Sequence, residues 1–346
     1  MVLKESKKMM TGAGEIVPVY RIRIETERKQ EQHMDISLGL TVANQVAIMV
    51  IMISIGFFCY KKELLTEAGV KSMSAILLNV VTPCMLINAY QQDFNSELAV
   101  KFLTAAGAAV LLHLIMIALA LIVFKKQEIP MVKKANTFMS VYSNCGFMGL
   151  PLLNAALGDE GVFLGSAYLA VFNLLYWTQG AYVFSGDKRD MLSKKAVLNP
   201  GVIGVLTGLV FFFGRIKLPG IIGTTVSGIA ALNTPVAMFV IGAFLAKTKV
   251  KSALRNPNVW LVTVLRLLAF PLLSLGVLFV LTKAGITDTL TAMAVLLQVA
   301  APCATVGSLF AVKYGYDPTY ASEVIAISTL VSMITIPLMA FAGGIL

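Results

Sequence analysis

The residues best suited to chemistry in this 346-residue chain lie in two short runs. One is Ser143-Asn144-Cys145-Gly146-Phe147-Met148-Gly149-Leu150-Pro151; the other is Gln298-Val299-Ala300-Ala301-Pro302-Cys303-Ala304-Thr305-Val306-Gly307. Each sets a carboxamide, a cysteine, a proline and glycine inside an otherwise apolar stretch. Proline removes a backbone donor and glycine loosens the chain, so both runs are expected to interrupt helices. An interrupted helix exposes N–H groups at one end and carbonyls at the other, with partial charges of opposite sign. Carboxamides beside such ends suit the reversible binding of a charged solute. Covalent or hydrolytic chemistry finds no support, because the sequence carries no H-E-x-x-H, no G-x-S-x-G on a strand-turn-helix and no P-loop. Cys59, Cys84, Cys145 and Cys303 lack metal-ligand spacing and read as small core residues; no metal or cofactor is expected.

The surroundings decide what these runs are embedded in. Apolar residues make up 58% of the chain and charged residues 13%, which cannot clothe a soluble domain of this size. The apolar residues fall in blocks that each suit a helix crossing a hydrocarbon core of ~30 Å. Ten spans are expected: Leu38–Tyr60, Met73–Tyr90, Ala99–Phe124, Ala135–Leu157, Val162–Phe184, the short Val202–Phe213, Ile221–Ala246, Val259–Leu281, Leu290–Val312 and Tyr320–Ala342. Sixteen Lys and Arg follow odd-numbered spans and four follow even-numbered ones, counting Lys101 with the loop before its span. Basic loops stay in the cytoplasm, so both termini are expected outside a multi-pass plasma-membrane protein. The net charge of +10 is thereby explained without nucleic acid. Residues 1–36, which lack an apolar signal core, read as a disordered tail. Its seven basic residues conflict with an outside location, and translation from Met34 would remove most of it.

The spans divide into a first repeat (37–185), a cytoplasmic linker (186–200) and a second repeat (201–346). Asn79-Val80-Val81-Thr82-Pro83 in the second span matches Asn233-Thr234-Pro235 in the seventh, each a Thr-Pro kink with a nearby Asn. Pro83 to Pro151 is 68 residues, and Pro235 to Pro302 is 67. Five spans per half reverse the orientation of the second half, giving an inverted repeat with broken, crossing spans four and nine. Interrupted spans at corresponding places point to a transporter site near the midplane.

Asn144 is the first candidate contact, either to a bound anion or to the broken backbone itself. Cys145 and Gly146 beside it, and Pro302 and Cys303 in the second run, are further candidate substrate-binding positions, as are Asn173 and Gln298, intramembrane polar residues that mark either a pathway or helix–helix hydrogen bonds. Pro83, Gly149, Pro151, Pro235 and Gly307 are expected to shape the breaks. Asn79 and Asn233 read as kink partners and His113 as a packing residue. Arg266, about seven residues into its span, is expected to snorkel to the cytoplasmic surface, with Glu323 as a possible partner.

The run Asn144-Cys145-Gly146-Phe147-Met148-Gly149-Leu150-Pro151-Leu152-Leu153 resembles the N-x-G-F-x-G-x-P-L-L of bacterial auxin efflux carrier proteins. Asn199-Pro200, Leu218-Pro219, Thr234-Pro235, Ile241-Gly242-Ala243, Phe270-Pro271 and Ile336-Pro337 follow the family order. The resemblance implies a ten-helix fold related to the sodium/bile acid symporters. Spans 1, 2, 6 and 7 would form a scaffold that often dimerises, and spans 3–5 and 8–10 the moving unit. It also implies organic-anion substrates: auxin in plants, dicarboxylates such as malate or malonate in bacteria. Ser143 stands where the plant proteins have proline, and their large cytoplasmic loop is absent, which favours a small bacterial-type carboxylate. The rival reading is a membrane sensor or enzyme without transport.

The charge bias makes a direct prediction. In a background without native cysteines, Lys188→Cys should resist an impermeant maleimide added outside intact cells, and Asp159→Cys should react. Labelling of Lys188→Cys from outside would reverse the topology.

Overall fold

Apolar stretches with helical spacing need their backbone groups paired internally, and in this chain helices do it throughout. The computed structural model describes residues 8–10, 16–189 and 199–346, with side chains from Leu38 onward. Most of the 186–200 linker, including Lys194 and Lys195, lies outside the described residues. β1 (Lys8–Met10) and β2 (Ile16–Pro18) pair antiparallel ahead of the first helix.

Among the described residues, seven helical stretches are long and apolar enough to cross a membrane. They are Leu38–Lys61 within α1 (Val19–Lys61), α2 (Glu67–Ala89), α3 (Ser96–Val123), α5 (Cys145–Ser185), α7 (Gly220–Lys247), α8 (Pro257–Lys283) and α11 (Thr319–Ile345). Between them lie shorter helices: α4 (Pro130–Val141), α6 (Pro200–Phe213), α9 (Thr289–Ala300) and α10 (Val306–Lys313). At 41 residues, α5 is about twice what one crossing needs. It folds back at Gly158, whose φ of +64° only glycine adopts readily. α1 starts at Val19, within the stretch expected as a tail. Arg, Glu, Lys and Gln make up nine of the twelve residues of Arg21–Gln32, and these residues favour helix.

Prolines explain three of the four π-helical turns among the described residues; the turn at Tyr176–Gly180 has no proline directly after it. A proline ring clashes with the carbonyl four residues back, and widening that turn by one residue relieves the clash. π-helical turns at Leu77–Val81, Cys145–Gly149 and Leu265–Ala269 each end two residues before Pro83, Pro151 or Pro271. In each, the next N–H reaches five residues back: Thr82 to Leu77, Leu150 to Cys145, Phe270 to Leu265. Such turns rotate the side chains they carry, among them Cys145 and Arg266.

The helices pack in two groups. α1 packs on α7, and α2 on α6 and α7; α3, α4, α5, α8, α9 and α11 pack among themselves, and α1 bridges the two sets through α11 and α5. α1 and α7 run closest, at Gly56 and Gly242. A Cβ at Gly242 would strike the Ile53 carbonyl and Phe57 nitrogen, both backbone. Gly242→Leu should therefore lower the thermal midpoint by an amount equivalent to about 1–3 kcal/mol, the usual cost of overpacking. Gly228→Leu in the same helix faces open space and should change the midpoint little. Equal midpoints for the two variants would contradict this contact.

Candidate functional site

The two interrupted helices meet. α4 ends at Val141 and α5 begins at Cys145; α9 ends at Ala300 and α10 begins at Val306. The intervening strands pair antiparallel, Ser143 opposite Cys303. Asn144 N–H donates to the Pro302 carbonyl at 2.7 Å, and Ala304 N–H donates to the Tyr142 carbonyl at 2.9 Å. The sequence favours one break directly: the residue before proline is biased away from the helical region, and Ala301 sits at φ −62°, ψ 150°. In the other break Tyr142 is extended without a proline at hand, and Pro151 lies past it inside the next helical stretch. The matching proline spacings thus compared a proline within one break with a proline beyond the other.

Arg266 corrects the expectation of snorkelling. It is 0% exposed, and its guanidinium lies against the carbonyl ends of both α4 and α9. Nη1 donates to the Val141 carbonyl at 2.6 Å and the Ser140 carbonyl at 3.2 Å; Nη2 donates to the Val299 carbonyl. Glu323 is not among its hydrogen-bond partners. Seven residues of helix are too many for a side chain to climb when backbone acceptors lie beside it. The signal available in sequence was the proline two positions after Ala269, which turns Arg266 inward.

The opposite, N-terminal ends of α5 and α10 line a cavity of about 650 Å³ through Ser143, Asn144, Gly146, Ala304, Thr305 and Val306. Asn144 is 4% exposed, its side chain does not cap the helix, and its Nδ2 has no partner among the described residues. Asn173 also lines the cavity and donates to the Leu169 carbonyl at 2.8 Å. Cys145, Pro302 and Cys303 belong to the crossing but do not line the cavity. Gln298 lies away from it, 0% exposed, donating to the Gly165 carbonyl at 3.2 Å. Gly149 and Gly165 leave the room it fills, since a Cβ at either would strike its amide. Gly307 likewise makes room for Met139. His113 is buried on Tyr168 and bonded to the Ala109 carbonyl at 2.7 Å.

Sequence reasoning missed the cavity walls. Phe147, Phe172, Tyr176, Trp177, Phe244 and Phe310 set six aromatic rings in them, and nothing in the spacing set these six apart from other apolar positions. Lys71, Lys247 and Lys313 stand at helix ends along the same cavity. Lys247 pairs with Glu67 at 3.0 Å, and Lys313 Nζ sits 5.4 Å from the Trp177 ring centre. Beyond the cavity floor, the two Thr-Pro motifs meet: Thr82 Oγ1 donates to Asn233 Oδ1 at 3.4 Å. Thr82 lines the large cavity, while Asn233 lines a second one of about 250 Å³ with Asn88, Asn154, Asp159, Ser227 and Thr234. Pro83 and Pro235 follow these motifs directly.

Known proteins share this sequence plan. The chain matches the family described as membrane transport protein over residues 41–340. It is 23% identical over 299 residues to an uncharacterized transporter of Methanothermobacter thermautotrophicus, covering 85% of this chain and 95% of the relative. A second uncharacterized transporter, from Methanocaldococcus jannaschii, is 23% identical over 219 residues, 60% of this chain and 70% of the relative. With its seven long apolar helices and a family match spanning most of its length, this multi-pass membrane protein belongs to the membrane transport protein family, that of the auxin efflux carriers.

Proposed function

We propose that the chain is a secondary transporter of organic anions that works by alternating access around the crossing of α4–α5 with α9–α10. The observation that carries this reading is the Asn144 amide, a buried donor without a partner, set beside two helix N-termini on a large cavity. Those N-termini each offer roughly half a positive charge, and the cavity holds them away from the carbonyl ends bound by Arg266. An anion entering there meets a donor and a favourable field.

In this reading the chain crosses the membrane ten times as two inverted five-helix repeats. α4–α5 and α9–α10 supply the broken crossings, and the Gly158 turn splits α5 into two. α1, α2, α6 and α7 form the scaffold, and a second copy joins it there as a homodimer. The lysine-bearing end faces the cytoplasm, so the large cavity is the inward opening. The smaller polar cavity past Thr82–Asn233 marks where the outward opening forms.

The aromatic walls favour a single carboxylate on an apolar body, which buries surface while its charge meets Asn144. Small dicarboxylates are the second reading, favoured by the three lysines along the cavity.

Efflux of labelled phenylacetate, malonate and malate from proteoliposomes without ATP tests both. Asn144→Ala should weaken the transported anion by about 1.5–3 kcal/mol, the range for a hydrogen bond to a charged group. Asn144→Asp should be worse, because it places like charge beside the anion. Full transport by a well-folded Asn144→Asp protein would remove Asn144 from the site.

A further inference from the structure

We infer that Arg266 is a resident counter-cation occupying the place where a co-transported metal cation would bind, so that the carrier works without sodium or another metal cation. The inference deepens the transporter reading, but the site it describes stands on its own geometry.

The two carbonyl ends at the crossing, those of α4 and α9, each carry roughly half a negative charge. Their sum is close to one unit, and they converge on one buried point. Such carbonyls are what a hard cation takes as ligands. Here the guanidinium takes them instead, three acceptors from two helices held by one planar group. Arg266 is wholly buried, and the groups around it carry no compensating carboxylate among the described residues: Tyr168, Cys145, Cys303 and His113 face it. Its charge is therefore matched by backbone dipoles, and a second cation among the same carbonyls would meet both repulsion and occupied acceptors.

The arrangement also separates the two signs of helix end. The negative ends are satisfied permanently inside the protein, while the positive ends of α5 and α10 stay open to the cavity. An anion can then bind and leave without a cation having to accompany it. Removing the guanidinium should leave a cation-shaped vacancy lined by the carbonyls of Ser140, Val141 and Val299.

The test is thermal unfolding of the purified full-length protein in sodium, choline and guanidinium chlorides at equal, low ionic strength. Wild type should have one midpoint in sodium and choline. Arg266→Ala should unfold at a lower temperature in choline and recover, saturably, with guanidinium or sodium, as a ligand binding the native state requires. Arg266→Lys keeps a charge but not the planar fork, so it should fall between them and stay insensitive to sodium. Saturable, sodium-specific stabilisation of wild type would overturn the inference, and this arm needs no variant to fold. A folded Arg266→Ala that responds to neither cation would overturn it as well. None of these measurements depends on a transported substrate, so an absence of anion flux would count against the transporter reading alone.

Discussion

Cutting two helices in mid-span creates four ends whose backbone groups have no helical partners, and much else in this molecule follows from how those ends are satisfied. Part of the need is met by the crossing itself, where Asn144 and Ala304 donate across to Pro302 and Tyr142. The carbonyl ends are met by Arg266. A charge buried without a carboxylate would ordinarily be very unfavourable. Two convergent helix ends make it tolerable, and removing any one of the three elements would strand the other two. The N-terminal ends remain for whatever enters the cavity.

This sorting depends on packing around it. Gln298 fills the space left by Gly149 and Gly165, and Met139 fills that left by Gly307, so the broken helices are closely packed although their backbones are interrupted. The π-helical turns before Pro151 and Pro271 place Cys145 and Arg266 at the crossing. Outside this unit, α1 packs against α11 and α5, and the Thr82–Asn233 contact is the hydrogen bond that the two Thr-Pro motifs share.

Much of this plan was legible in the sequence, for physical reasons. The apolar blocks had to be helices, because lipid leaves backbone groups no other partner. Pro302 pointed to its break, because the residue before proline is biased toward extended backbone, although Thr82, Leu150 and Phe270 stay helical before theirs. The other break lacks that signature: Tyr142 is extended and Ser143 pairs across to Cys303, a tertiary contact that sequence does not show. Asn144 stood out as a carboxamide among apolar residues and does line the cavity, whereas Gln298 stood out equally and packs elsewhere. Periodicity could not separate them, since both lie at the ends of buried helices. Arg266 was misjudged because distance from the helix end was weighed, and the acceptors on neighbouring helices were invisible.

The central claim is that the cavity at the crossing prefers negative charge. Trp177 lines it, and the chain's other tryptophan, Trp260, lies 39% exposed on the outer face of α8. In a Trp260→Phe protein, Trp177 fluorescence reports the cavity alone. Titration with phenylacetate and with phenethylamine, similar in body and opposite in charge, separates field from fit. Saturable quenching by phenylacetate, with phenethylamine at least tenfold weaker, about 1.4 kcal/mol, is the predicted result. Equal or stronger binding of phenethylamine would contradict the account.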